Sequence, residues 1–184
     1  MMSFSDKILA SLAFCCMLFA LLACNGDEND PKTSAIDKKQ QKEQVEEANR
    51  NLVKLERETI DEYVKHSGKC FVETGTGLRY FIENHGNGEL IKKGDVVMME
   101  YELRLLNGDL IYSSNKDGIK TFLVGRGGVE SGLEEAVLYL HIGDEATVVI
   151  PSHLAHGLIG DGKGIPPRST IVYRIKIIDN QLNN

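Results

Sequence analysis

A chain of 184 residues, 42% hydrophobic and 26% charged, has the composition of a globular protein with room for one ordinary domain and an appendage. Its net charge of −6 and pI near 5.4 argue against nucleic-acid binding, which needs clustered Lys and Arg to neutralise phosphates, and against a polybasic grip on anionic lipid. The first 24 residues stand outside the fold: Lys7 gives a thin positive start, and residues 8–23 are an unbroken apolar run that reads as the hydrophobic part of a signal peptide.

That run ends in LLAC, residues 21–24, which resembles a bacterial lipobox: Leu at −3, small Ala23 at −1, then Cys24. The resemblance implies that Cys24 is acylated and becomes the mature N-terminus, each buried CH₂ of the lipid contributing about 0.8 kcal/mol. The implied location is the bacterial cell envelope, at the outer membrane in preference to the inner, since Asn25 rather than Asp follows Cys24. Cys15 and Cys16 would leave with the signal and Cys24 would carry lipid, so Cys70 is the one free thiol expected in the mature body, as a half-buried structural residue.

Residues 25–35, polar and carrying Pro31, read as a flexible tether. Residues 36–68 lack Gly and Pro until Gly68 and are rich in strong helix formers, which predicts a helical extension with Ser34 as its cap. Its apolar stripe, Val45, Ala48, Leu52 and Leu55 and then Ile60, Tyr63 and Val64, is too short for a sustained coiled coil. The expectation is a helix docked on its own domain, with the chain a monomer or a weak dimer through this helix.

From residue 69 the pattern changes to short β-like runs. Val97, Met99, Tyr101, Leu103 and Leu105 alternate on one face of a strand, and the NGD of residues 107–109 signals a hairpin. Residues 129–144 hold the one helical pattern of this half, with Ser131 and Glu134 as a predicted capping box. Two last strands enclose the 18 residues 152–169, a loop long enough to suggest a functional role. The predicted fold is α+β: an antiparallel, half-barrel-like sheet of about five strands wrapped around one short helix, with the N-terminal helical extension in front and residues 69–184 as the domain.

The long loop, HGLIGDGKGIPPRST at residues 156–170, lacks the parts of a phosphate cradle. No GxxxxGK[ST] is present, and Pro166 and Pro167 follow where a helix N-terminus would have to offer N–H groups. His153 and His156 have no Glu between them and no helix to align them, so they read as a surface histidine and a pocket histidine rather than a metal pair. No GxSxG or other nucleophile–base arrangement is present. What remains is a pocket wall drawn from Tyr101, Ile111, Tyr112, Phe122, Val129, Leu133, His156, Ile165 and Tyr173, or else simply the core of a small β-rich domain.

In order and spacing, Gly125, then Val129-Glu130-Ser131-Gly132, Gly143, Ala155 with Gly157, and Ile165-Pro166-Pro167 resemble the FKBP-type peptidyl-prolyl cis/trans isomerases over about residues 74–179. The helical extension and TGTGLRY resemble bacterial envelope members, and the lipobox resembles the gliding-motility-associated lipoprotein branch. The resemblance implies catalysis without cofactor or metal on X–Pro bonds of polypeptides. Their barrier of about 18–20 kcal/mol falls when an apolar pocket desolvates the planar, more polar amide and so favours the twisted form.

It also implies roles. Tyr101, Phe122, Val129 and Tyr173 would line the prolyl pocket, Ile111 takes the place of a Phe, Leu133 that of a Trp at the floor, and Ile165 forms the loop wall. The backbone N–H of Glu130 would bind a substrate carbonyl. Tyr101, Tyr112 and His156 would hold the catalytic positions, and the last two depart from the family. Tyr112 stands where an Asp is usual, and His156 stands for the Tyr whose hydroxyl donates to substrate, a role an imidazole can take and one that titrates near neutral pH. The implied activity is an isomerase for envelope proteins; the departures fit, as alternative, a prolyl-binding chaperone with little turnover.

Overall fold

The computed structural model describes the backbone of residues 31–178, and side chains from residue 38 onward. Cys24, the signal segment and the first part of the tether lie outside the described residues. Two compact units divide the chain at residues 49 and 50, and the second, Arg50–Asn184, carries the sheet.

Helix formers free of Gly and Pro make α1 (Pro31–Ser67), which begins five residues ahead of the expected start at 36. Proline fits the first turn of a helix, where its missing N–H would have no partner, so the end of the expected tether is helical and Ser34 lies inside the helix rather than capping it. Gly68, at φ 67°, ends it.

Strands follow at β1 (Val72–Glu73), β2 (Arg79–Asn84), β3 (Val96–Leu105), β4 (Leu110–Ser113), β5 (Lys120–Leu123), β6 (Glu145–Ile150) and β7 (Ile171–Ile178), with the one-turn helix α2 (Ser114–Asp117) and the core helix α3 (Ser131–Val137) between them. The sheet is antiparallel, in the order β1-β2-β6-β7-β3-β4, with β5 also on β3. Among the described residues seven strands stand where about five were expected; the two-residue β1 is an addition, and β3 is long enough for its free edge to serve both β5 at Val96–Met99 and β4 at Glu102–Arg104. The predicted alternation holds: Val97, Met99, Tyr101 and Leu103 are buried and Leu105 is partly so.

Inside the curled sheet lies α3, with Leu133, Ala136 and Val137 fully buried. It is shorter than the pattern over 129–144 and has no capping box. Glu130 is its N-cap and makes no capping bond, Ser131 donates to the Leu154 carbonyl, and Glu134 accepts the backbone N–H groups of Gly125 and Gly127. The glycines ahead of the helix, at positive φ, bend back within reach of Glu134 and take the carboxylate that a capping box would have used.

The other face of the sheet is covered at β6 and β7. Ile60 of α1, 2% exposed, packs with Val149 and Val172, bordered by Tyr63, Val64, Phe71 and Leu106. Burial on both faces explains why all of β6 after Glu145 is buried. Val45, Leu52 and Leu55, the start of the predicted stripe, are exposed. Cys70 is also exposed, not half-buried: it precedes β1 outside the ladder, while its neighbour Phe71 turns inward against Phe81. Among the described residues no helix is long and apolar enough to cross a membrane.

Candidate functional site

Three pieces of chain meet at one end of the sheet: the β3–β4–β5 edge, the entrance to α3 and the flap of residues 152–169. Tyr101 (β3), Phe122 (β5), Leu133 (α3), Ile165 (flap) and Tyr173 (β7) belong to one buried cluster, and Ile111, Tyr112 and Val129 pack partly exposed against it. Register places them: Val97 pairs with Phe122 and Leu103 with Tyr173, so alternate residues of neighbouring strands share the concave face. The rings of Tyr101 and Tyr173 lie 5.9 Å apart, tilted by 55°.

The flap is shaped by its glycines and held by one carboxylate. Gly160 has φ 69°, and a Cβ there would lie 2.1 Å from the Ile165 carbonyl oxygen, so only glycine lets the loop fold onto itself. Asp161 accepts the backbone N–H groups of Lys163 and Ile165, each at 2.8 Å, and the Tyr112 hydroxyl. Partial burial raises the Asp161 carboxyl, but hydrogen bonds from Tyr112, Ile165 and Lys163, with His156 nearby, outweigh it and hold the group at about 2. The same bond raises the Tyr112 hydroxyl. The acidic group expected to be lost at Tyr112 is therefore supplied to that position by the flap. Asp161 went unassigned in the sequence; its signal was an Asp two residues before Lys163 in a glycine-rich loop, the setting of an Asx turn.

Lys120 also went unassigned. It alternates with Phe122 on β5, so it faces inward. Its Nζ lies 5.1 Å from the Tyr101 ring and 5.4 Å from the Tyr173 ring, and donates to the Tyr173 hydroxyl at 3.0 Å. That hydroxyl donates to Glu130 Oε1 at 3.0 Å, and His156 Nε2 lies 3.2 Å from the same oxygen. Lys120 Nζ stands 3.8 Å from Glu130 Oε2, which is buried and accepts no hydrogen bond. Burial first, and Glu130 second, push the Tyr173 hydroxyl well above its ordinary range, so it remains a donor. Burial likewise raises Tyr101.

The expected residues are thus brought together, with an addition. Ile111, Val129, Leu133 and Ile165 supply apolar walls, and beside them runs a partly buried polar chain of Lys120, Tyr173, Glu130 and His156. As N-cap of α3, Glu130 has a backbone N–H ahead of the helical ladder, while its side chain turns inward to Tyr173. His156 faces Glu130. A neutral imidazole that donates from Nε2 to that carboxylate has only an acceptor left on Nδ1, so donation to substrate requires the contact to open or the ring to be protonated.

A half-wrapped antiparallel sheet, a short core helix and an aromatic cluster closed by a long flap define the class of scaffold. The chain belongs to the FKBP-type peptidyl-prolyl cis-trans isomerase family, whose family model matches residues 87–178. It is 40% identical over 106 residues to the probable FKBP-type peptidyl-prolyl cis-trans isomerase FkpA of Neisseria meningitidis, covering 57% of this chain and 38% of that protein. To the FKBP-type peptidyl-prolyl cis-trans isomerase FkpA of Buchnera aphidicola it is 34% identical over 108 residues, 59% of this chain and 42% of that one. The chain thus spans about two fifths of the length of these relatives. The crystal structure of FkpA from Escherichia coli matches 97% of this chain and 83% of its own, with a TM-score of 0.60 and 25% identity. That of AtFKBP13 matches 60% of this chain and 98% of its own, with a TM-score of 0.58 and 30% identity.

Proposed function

We propose that this protein isomerises X–Pro bonds in polypeptides of a bacterial cell envelope, anchored there through lipid on Cys24. The observation that carries the reading is that Tyr101, Leu133, Ile165 and Tyr173 of the core lie beneath a partly exposed rim of Ile111, Tyr112 and Val129, an apolar mouth suited to a proline ring. Closing over the amide there removes its water, which disfavours the polar planar form relative to the twisted one; each 1.4 kcal/mol or so taken off the barrier gives about tenfold in rate. Tyr112, bonded to Asp161, puts a polar group at the cluster's rim, and the Glu130 N–H is the donor assigned to a substrate carbonyl. A protease-coupled assay with the mature chain on an X–Pro peptide tests this: folded protein that leaves the uncatalysed rate unchanged disproves it. Radiolabelled palmitate incorporated by the native chain and not by Cys24→Ala tests the anchor.

A second reading, a prolyl-binding chaperone with little turnover, has its own support. Lys120 and Glu130 place charge beside the proline site, and Glu130 engages His156. Peptide binding without rate acceleration is the outcome that selects it. A weak dimer through the exposed stripe at Leu52 and Leu55 fits either reading.

A further inference from the structure

Glu56 lies on α1, away from the cluster, yet it reaches both ends of the flap. Its Oε1 accepts the Ser152 backbone N–H at 2.7 Å and the Thr170 hydroxyl at 2.6 Å, and its Oε2 accepts the Ser152 hydroxyl at 3.0 Å. Ser152 opens the flap where β6 ends, and Thr170 closes it where β7 begins. Both are buried, at 8% and 6% exposure. One carboxylate therefore ties together two points 18 residues apart in sequence. From this clamp, hydrogen bonds continue into the flap: Gly157 N–H donates to the Ser152 carbonyl and Arg168 N–H to the Gly157 carbonyl, each at 2.8 Å. Two bonds thus separate Glu56 from Gly157, the neighbour of His156.

Ile60, one turn after Glu56, explains how the carboxylate is aimed. Residues four apart share a helix face, and Ile60 is fixed against Val149 and Val172, two strand residues close to the flap's feet. We propose that Glu56 is a positioning residue: through this carboxylate α1 sets the place of the substrate-facing flap, and with it His156 and Ile165. Charged hydrogen bonds to buried donors suit the role, since each donor left unpaired is costly.

The inference rests on the isomerase reading for its kinetic consequence but not for its structural one, so the test has two arms. In the mature full-length chain, Glu56→Ala is expected to speed amide hydrogen exchange at Gly157 and Arg168 at least tenfold, leave exchange at Val148 and Tyr173 in the β6–β7 ladder unchanged, and lower kcat/KM on an X–Pro peptide about tenfold. Glu56→Gln, which keeps the size and one acceptor oxygen, should recover part of both. Arg57→Ala, which removes the neighbouring ion pair to Glu73 at 2.9 Å, should change neither. Flap exchange and turnover within twofold of wild type in Glu56→Ala would overturn the proposal. So would exchange that rises equally across the sheet, which would make Glu56 a general stabiliser of helix docking. If the wild-type chain has no turnover, the isomerase reading fails, and exchange at Gly157 and Arg168 alone decides the clamp. If Glu56→Ala does not fold, Glu56→Gln carries both arms.

Discussion

Lys120 and Glu130 bring charge into a cluster whose walls the sequence read as mainly apolar and aromatic. Each charge is tolerated because the other is near and because Tyr173 links them by two 3.0 Å hydrogen bonds. Breaking a fully buried pair costs about 3–5 kcal/mol, whereas replacing both members with apolar residues is often neutral. Lys120 keeps 25% exposure, so Lys120→Met alone should destabilise by about 2 kcal/mol in urea denaturation. Lys120→Met with Glu130→Leu should recover only part of that loss, because the buried Tyr173 hydroxyl then lacks both partners. The double variant also removes a charge that must lose water when a proline ring arrives, so its turnover on an apolar X–Pro peptide should rise about tenfold. Unchanged turnover would show that substrate does not approach this pair. Asp161 offers a pH test. Its carboxyl is held at about 2 against an ordinary 3.8, so the folded state favours the charged form. That contribution is complete above about pH 5 and fades as pH falls through 4 towards 2. Asp161→Asn should therefore be less stable than wild type by about 1 kcal/mol at pH 7, with the gap shrinking to nothing near pH 2 in denaturation curves measured across that range.

At the scale of elements, α3 is short and its fit is set by one glycine. A Cβ on Gly132 would lie 2.3 Å from Ile150 Cγ2 and 3.2 Å from the Leu154 carbonyl oxygen, so helix and strand are closer than any side chain allows. Gly132→Ala should destabilise by about 1–3 kcal/mol, the usual cost of overpacking, visible as a lowered Tm, and should move the entrance to α3 that carries Val129 and Glu130. The positions of β3, β6 and β7 were legible in the sequence because period-2 alternation and long apolar runs survive any tertiary context. The extra strand was not: β1 has two residues, too few to show any period. The capping box failed for a different reason. Glu134 has the right spacing, but the glycines folded back ahead of the helix compete for its carboxylate, and spacing along the chain does not register such a neighbour. In the site, the wall residues were legible from motif order, whereas Asp161 and Lys120 act through partners 49 and 53 residues away, Tyr112 and Tyr173.

For the molecule as a whole, the compact unit that carries the sheet reaches back past the change from helical to β-like pattern at residues 68 and 69. That unit starts at Arg50 and includes the last turns of α1. Three kinds of contact bind those turns to the sheet: Ile60 against Val149 and Val172, the Asp61–Arg79 ion pair at 2.8 Å with Arg79 only 5% exposed, and Glu56 at the flap. Of these, the apolar contact should contribute most, because it is buried on every side and needs no geometry beyond fit. A large-to-small change at such a site costs about 2–5 kcal/mol. One helical face meets the sheet, so Ile60→Ala should lie at the lower part of that range. Leu55→Ala, on the same helix but 58% exposed, should change stability by no more than about 0.5 kcal/mol. Denaturant midpoints of the two variants, measured at a chain concentration low enough to keep any helix-mediated dimer apart, separate docking from self-association. A loss at Leu55 comparable to that at Ile60 would mean that the exposed stripe is covered in solution and that the stable unit is larger than one chain.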